Sequence, residues 1–280
     1  MAKETKPINK LVYGAVIGDY FGSIWEYTSY VGEKPATMED INFKKGDYGY
    51  TDDSIMTVAV ADTLLNHKPV ANTLRDYAYR FPCPRGGYGG RFSTWINNPD
   101  MPAYGSFGNG AGMRVSPVAY FALNEADCDF LADHVTEVTH NHEEGTKGAE
   151  TVAGMVYRAL HGATKSHLRD YAFSKYGDKI DRDLAQLHQT VTMNDTCQAT
   201  VPLALYCFLS SVSFEDCLRR CIYIGGDTDT IAAMACAIAS AFYKDIPDYL
   251  YNKVRKDLPK DFLNVLDNVP LPEELKASLA

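Results

Sequence analysis

Two short stretches combine the acids and hydroxyls that bind hard cations. "YTDDSIMTVAVA" runs from Tyr50 to Ala61, and "DTDTIAAMACAIA" from Asp227 to Ala239. Each is a Thr/Asp cluster followed by a helix-like run of Ala, Ile, Met and Val. Thr51, Asp52, Asp53 and Ser54 form the first cluster; Asp227, Thr228, Asp229 and Thr230 form the second. Residues one or two apart do not share a face of a regular helix, so these groups converge only where the chain turns into one. Carboxylates brought together resist ionising together, and a cation removes the conflict. Carboxylate and hydroxyl oxygens without clustered Cys or His select Mg²⁺, Mn²⁺ or Ca²⁺ over Zn²⁺. The loop lacks the central Gly and terminal acid of an EF-hand. Two such clusters suit two ions in one site. The alternative is that each is only an N-cap and dipole partner for its own helix.

Two glycine-rich stretches come next. "PRGGYGGRF" (Pro84 to Phe92) and "YGSFGNGAGMRVSP" (Tyr104 to Pro117) have backbones free to turn sharply. The second leads into "MRVSPVAYFAL", which is predicted to be helical. Successive N–H groups at such a helix start suit a phosphate, although a plain tight turn fits as well. No strand precedes the loop, so the dinucleotide fingerprint is not met, and the Walker pattern GxxxxGK[ST] is absent as well. His140 and His142 have no Cys close in sequence to complete a zinc set. Cys197 is a candidate nucleophile, but nothing local activates it.

These groups need helices to hold them. "DDSIMTVAVADTLL" reads as a helix with acids in its first turn, where the macrodipole favours them. "ATVPLALYCFLS" and "SFEDCLRRCIYI" read as consecutive helices, the latter with Ser213 as N-cap. "THNHEEGTKGAETVAGMVYRAL" reads as a turn feeding another. Strand-like runs bounded by hairpin turns are scarce. An all-α, compact single-domain globule over 1–280 is therefore expected, with its core at about 11–245. At 280 residues and 46% hydrophobic, the chain can bury a sizeable core. The net charge of −9, with no Lys/Arg run, argues against broad electrostatic binding of nucleic acid. No stretch approaches about 18 apolar residues, so no membrane span is expected. The first ten residues, MAKETKPINK, lack the apolar centre of a signal peptide. The seven scattered cysteines include no CxxC pair and suit free thiols in a reducing cytoplasm, the expected location.

Five pieces, "GAVIGDYFGSIWE", "YTDDSIMTVAVA", "GSFGNGAGMRVSP", "THNHEEGTKGA" and "GGDTDTIAAMACAIA", together resemble the ADP-ribosylglycohydrolase family in content and order. They span about Gly14 to Tyr243. "DTCQATVPLALYCFL" is similar to a bacterial branch of it. The resemblance implies an all-α fold with two Mg²⁺ ions, replaceable by Mn²⁺, in a central cleft. Thr51, Asp52 and Asp53 would be ligands from one side, and Asp227, Asp229 and Thr230 from the other. Glu26 matches an acid tied to catalysis, with Asp53 and Asp229 as catalytic partners. Ser106, Phe107, Gly108, Asn109, Gly110 and Met113 match the loop that holds the diphosphate and distal ribose. His140 matches a substrate-contacting His of some members. Asn109 is expected to meet ligand rather than ion.

The chain departs from the family pattern at Ser54, where Thr is common, at Gly112, where Ala is usual, and at Leu203, where an acid is frequent. "NDT" also precedes Cys197. These differences bear on the target side of the pocket more than on the metal site. The small residues of "IAAMACAIA" are expected to let the two motif helices pack closely enough to share one pair of ions.

The activity implied is hydrolysis of the glycosidic bond between ADP-ribose and a modified protein side chain or small conjugate. The sequence leaves the linkage open between arginine, serine and others. Two other classes remain: a non-catalytic ADP-ribose binder, and a metal-dependent phosphohydrolase of a nucleotide-like substrate.

Overall fold

Helix starts along this chain are set by short polar side chains. Thr51, Asn124, Thr164, Asp183 and Ser213 each accept a hydrogen bond from a backbone N–H two or three residues ahead. The computed structural model describes residues 9–41, 48–272 and 275. Most of the N-terminal segment read for a leader, residues 1–8, lies outside the described residues, as do the last five positions.

Fourteen α-helices lie among the described residues. They are α1 (Gly14–Gly22), α2 (Asp52–Asn66), α3 (Val70–Arg80), α4 (Gly90–Ile96), α5 (Gly110–Met113), α6 (Glu125–Thr136) and α7 (Glu143–Leu160). Then come α8 (Lys165–Tyr176), α9 (Leu184–Thr190), α10 (Cys197–Leu209), α11 (Phe214–Ile224), α12 (Thr228–Tyr243), α13 (Asp248–Asp257) and α14 (Lys260–Leu266). No strand occurs among the described residues, only two isolated bridges, Thr51 with Arg85 and Gly108 with Thr196. The all-α expectation holds. No described helix is long and apolar enough to cross a membrane.

The central element is α12, apolar on nearly every face and buried from Thr228 to Ala241. Around it pack α1, α7, α10 and α11. The closest neighbour is α1, because Gly14, Gly18 and Gly22 form a stripe along it. A Cβ on Gly14 would collide with Ser240, and one on Gly18 with the Ala232 carbonyl. A Cβ on Gly22 would lie 2.6 Å from Asp229 Cα. The last two helices fold back, α13 onto α1 and α14 onto α2.

Two sequence expectations change. The small-residue face of α12 serves its packing against α1 far more than against α2, which α12 meets at Thr230 and Asp53. The segment after the second glycine-rich stretch is not one helix either. Met113 ends the single turn α5, which lies within the stretch, and Ser116 to Tyr120 form a 3-10 turn. Gly110 and Gly112 weaken the first piece, and Pro117 has no N–H with which to continue it.

Candidate active site

The two Thr/Asp clusters sit at the N-termini of α2 and α12, and these ends face one another. Thr230 Oγ1 donates to Asp53 Oδ2 across 3.3 Å. Thr51 is the N-cap of α2, its hydroxyl accepting from Asp53 N at 3.1 Å. Asp227 holds the N-cap position of α12 but makes no side-chain capping bond. Its carboxylate turns elsewhere, so capping does not explain the second cluster. Gly225 and Gly226, at φ 75° and 80°, provide the left-handed turn that aims it. A side chain on Gly226 would also strike Val191, 2.7 Å from its Cβ position.

One cleft of about 530 Å³ is lined by Glu26, Asp52, Asp53, Asp227, Asp229 and Thr230. Ser106, Gly108, Asn109, Gly110, Met113 and His140 line it too. Four of the five sequence pieces thus meet there through their side chains, and the GAVIGDYFGSIWE piece joins through its last residue. Oxygens of Glu26, Asp227 and Asp229 lie within 4.8 Å of one another. A larger cavity, about 990 Å³, lies beside α1 and α13 and contains none of these residues.

Two predicted residues stand off the wall. Thr51 is fully buried behind it, its hydroxyl donating to Asp19. Phe107 is partly exposed, its ring 5.2 Å from that of His142. Asn109 does more than expected, since its side-chain amide donates to Asp227 Oδ2 at 2.5 Å. The sequence reading placed this residue on the ligand alone. The fold brings the loop against the α12 shelf because the 195–197 strap pins it: Asn109 N donates to Asp195 O at 2.7 Å, and Cys197 N to Phe107 O at 2.9 Å. Cys197 itself is buried, its thiol pushed up to about 12 by burial and donating to Gly108 O, which is no setting for a nucleophile.

The carboxylates are crowded enough to alter their chemistry. Burial, then the negative charge of Asp19, holds Asp52 and Asp53 well above the usual range. Burial and then Asp53 do the same to Asp229. Burial raises Asp227 despite the Asn109 amide. Glu26 is raised by burial; the Tyr27 hydroxyl opposes this, while Asp227 and Asp19 add to it. The buried Oδ1 atoms of Asp53 and Asp229 have no hydrogen-bond partner among the described residues. An orphaned buried carboxylate oxygen is costly, and a cation satisfies it. One orphan lies on each shelf, so the residues fit a divalent ion bound between them.

Asp19 was not assigned from sequence. It sits in α1, fully buried, and accepts from Thr51 N at 2.9 Å, Thr51 Oγ1 at 2.7 Å and Ser54 N at 3.0 Å, and also from Ser54 Oγ. Burial lifts it to about 6 against these bonds. Arg114 was missed as well. Its Nη2 donates to Thr139 Oγ1 at 2.8 Å, and that hydroxyl lies 2.7 Å from His140 Nδ1. Arginine can only donate, so Thr139 Oγ1 accepts from Arg114, and its contact with Nδ1 leaves Nε2 as the free ring nitrogen of His140. That nitrogen points at the loop, 3.0 Å from where a Cβ on Gly110 would be. Burial, then Arg114 and Arg91, keeps this imidazole neutral, well below its ordinary value.

The family model described as ADP-ribosylglycohydrolase matches residues 6–277, nearly the whole chain. The chain belongs to the ADP-ribosylglycohydrolase family. It is therefore a glycohydrolase by family. Among curated proteins it is similar to mouse (Mus musculus) ADP-ribosylhydrolase ARH3, 28% identical over 82% of each chain. It also resembles ADP-ribosylarginine hydrolase Tri1 of Pseudomonas putida, 25% identical over 95% of this chain and 79% of that one. A solved ADP-ribosylglycohydrolase-related protein complex shares the fold, with a TM-score of 0.67 and 23% identity over 92% of this chain and 96% of that one.

Proposed function

We propose that this protein hydrolyses the glycosidic bond at the anomeric carbon of ADP-ribose attached to a protein side chain or small conjugate. The observation that carries this is the single cleft in which two carboxylate shelves, Glu26 and the GSFGNG loop face one another. The curated relatives named for ADP-ribose hydrolysis support it.

Asp52, Asp53, Asp227, Asp229 and Thr230 would hold two Mg²⁺ ions, with Mn²⁺ able to replace them, and Thr51 would act from behind the wall through Asp53. The orphaned oxygen on each shelf supports cation binding there. Bound there, the ions supply positive charge to ribose hydroxyls and make water a better nucleophile. Asp53 and Asp229 align the two shelves around the reacting sugar. Glu26, half-buried at the cleft, keeps its proton closer to neutrality than an exposed glutamate would. It can therefore hand that proton to the leaving group or take one from water. The backbone of Ser106, Gly108 and Gly110 offers a concave seat for the diphosphate. His140, with Nε2 facing the loop, offers the substrate a hydrogen bond from a neutral ring and adds no charge. Phe107 presents an exposed ring at the rim.

Arginine-linked and serine-linked ADP-ribosyl peptides, incubated with the protein and Mg²⁺, separate the possible activities by product mass. Free ADP-ribose with an intact acceptor is the expected result. AMP would mean diphosphate cleavage, and no product from any linkage would mean binding alone.

A further inference from the structure

We infer that Asp19 is a positioning residue that sets the separation of the two carboxylate shelves, acting through Thr51 and Ser54 without lining the cleft. This rests on the metal-dependent reading of the same site. The Asp19 carboxylate receives two backbone N–H and two hydroxyl bonds, all from the first turn of α2. No other side chain among the described residues makes as many hydrogen bonds to that turn. Thr51 and Ser54 flank Asp52 and Asp53, so whatever fixes the former pair fixes the aim of the latter. The bond between Asp19 and α2 spans 32 positions in sequence, so it belongs to the tertiary fold, not to local capping.

The same helix holds the other shelf. Three residues beyond Asp19, Gly22 lies so close to α12 that an added Cβ would sit 2.6 Å from Asp229 Cα and 2.8 Å from Thr228 O. The next turns of chain lead to Glu26, and Trp25 O accepts from Thr228 Oγ1 at 3.2 Å. One rigid element thus grips the α2 shelf with a carboxylate, abuts the α12 shelf with a glycine and carries Glu26 at its exit. Two metal-binding groups on separate helices keep a fixed spacing only if something rigid ties both. Here α1 is that tie, and Asp19 is its grip on one side.

Asp19→Asn keeps the shape but loses acceptors and turns an N–H₂ toward groups that themselves donate. The α2 turn should then shift while every cleft ligand is still present. The test is Mn²⁺ affinity, read by electron paramagnetic resonance on the purified full-length protein at a temperature where each variant is folded by circular dichroism. Asp62→Asn is the matched control: Asp62 is also a buried acid of α2, bound to Lys68, Asn66 and Tyr77 away from the cleft. Asp19→Asn should weaken Mn²⁺ binding by about tenfold or more, the scale of losing an outer-shell partner of a metal ligand. Asp62→Asn should lower the melting temperature and leave Mn²⁺ affinity unchanged. Should Asp19→Asn fail to fold, Ser54→Ala removes only the hydroxyl bond to Asp19, keeps the backbone N–H bond, and should still weaken Mn²⁺ binding. Wild-type affinity in Asp19→Asn, or in Ser54→Ala where that variant stands in, overturns the inference alone. Equal weakening by Asp62→Asn does the same, since it would reduce the effect to lost stability. A wild-type protein that binds no Mn²⁺ overturns the metal reading and this inference with it.

Discussion

The Asn109 side-chain amide donates to Asp227 Oδ2 across 2.5 Å, joining the glycine-rich loop directly to the α12 shelf. Ligand loop and metal shelf are therefore not independent. Asn109→Ala should weaken ADP-ribose binding and also lower Mn²⁺ affinity by about tenfold, because the amide orients a ligating carboxylate. Calorimetry with ADP-ribose and with Mn²⁺, run separately, checks both. Loss of ADP-ribose binding with unchanged Mn²⁺ affinity would mean that the hydrogen bond has no part in holding the shelf.

On the other side of the loop, the Arg114–Thr139–His140 chain is expected to act on substrate only. Thr139→Val keeps the shape and removes the hydroxyl that holds the His140 ring at Nδ1. KM should rise about fivefold, the value of one neutral hydrogen bond. Stabilisation by Mg²⁺, followed by melting, should stay at the wild-type level. A variant that loses the Mg²⁺ effect would place this chain in the metal site instead.

Glu26 differs from Asp53, Asp227 and Asp229, which are buried, in being half-buried and carried by another segment. Glu26→Gln should cut turnover by at least about 10²-fold, the low end for a general acid–base group. ADP-ribose should still bind, and Mg²⁺ should still raise the melting temperature. Asp53→Asn and Asp229→Asn should lose turnover and the Mg²⁺ effect together. Near-normal turnover in Glu26→Gln, or loss of metal as complete as in Asp53→Asn, would remove the acid–base role.

The raised carboxylates set a pH dependence. Asp19 titrates near 6 in the fold against an ordinary 3.8, and Asp52, Asp53 and Asp229 are also held well above their usual range. The metal-free fold binds these protons more tightly than the unfolded chain does. Its stability from this cluster is complete below the unfolded values and is lost as pH rises through the folded ones. His140, shifted the other way, costs stability as pH falls below its ordinary 6.5. It does so with or without metal, so the difference between Mg²⁺ and EDTA melting curves isolates the cluster. Mg²⁺ must displace the protons, so that difference should grow between about pH 5 and about pH 8. A stabilisation that is flat or shrinking across this range would mean the ion binds elsewhere.

Much of this site is written locally. Thr51 to Ser54 and Asp227 to Thr230 betray themselves because acids and hydroxyls at a helix start, doubled in one chain, have a chemical reason to meet. The helices were readable from periodicity and caps such as Ser213. Asp19 was not, because in "GAVIGDYFG" it is one acid in an apolar helix whose partners lie 32 and 35 residues away. The glycines around it held the clue, since Gly14, Gly18 and Gly22 at helical spacing mark a face built for backbone contact. "PRGGYGGRF" was read only as flexible, yet Gly86, at φ 77°, brings its backbone so close to Glu26 that a Cβ would lie 2.7 Å from Oε2. The partner of the small-residue face of α12 was misjudged because apolar pattern gives the face of a helix, not which helix covers it.

Release of free ADP-ribose from a modified peptide, timed before metal is stripped, after exhaustive chelation and after Mg²⁺ is restored, bears on the two-shelf hydrolase most directly. Release should cease on chelation and return with Mg²⁺ or Mn²⁺, because the orphaned oxygens of Asp53 and Asp229 then regain their partners. An undiminished rate of ADP-ribose release from fully stripped protein would contradict it.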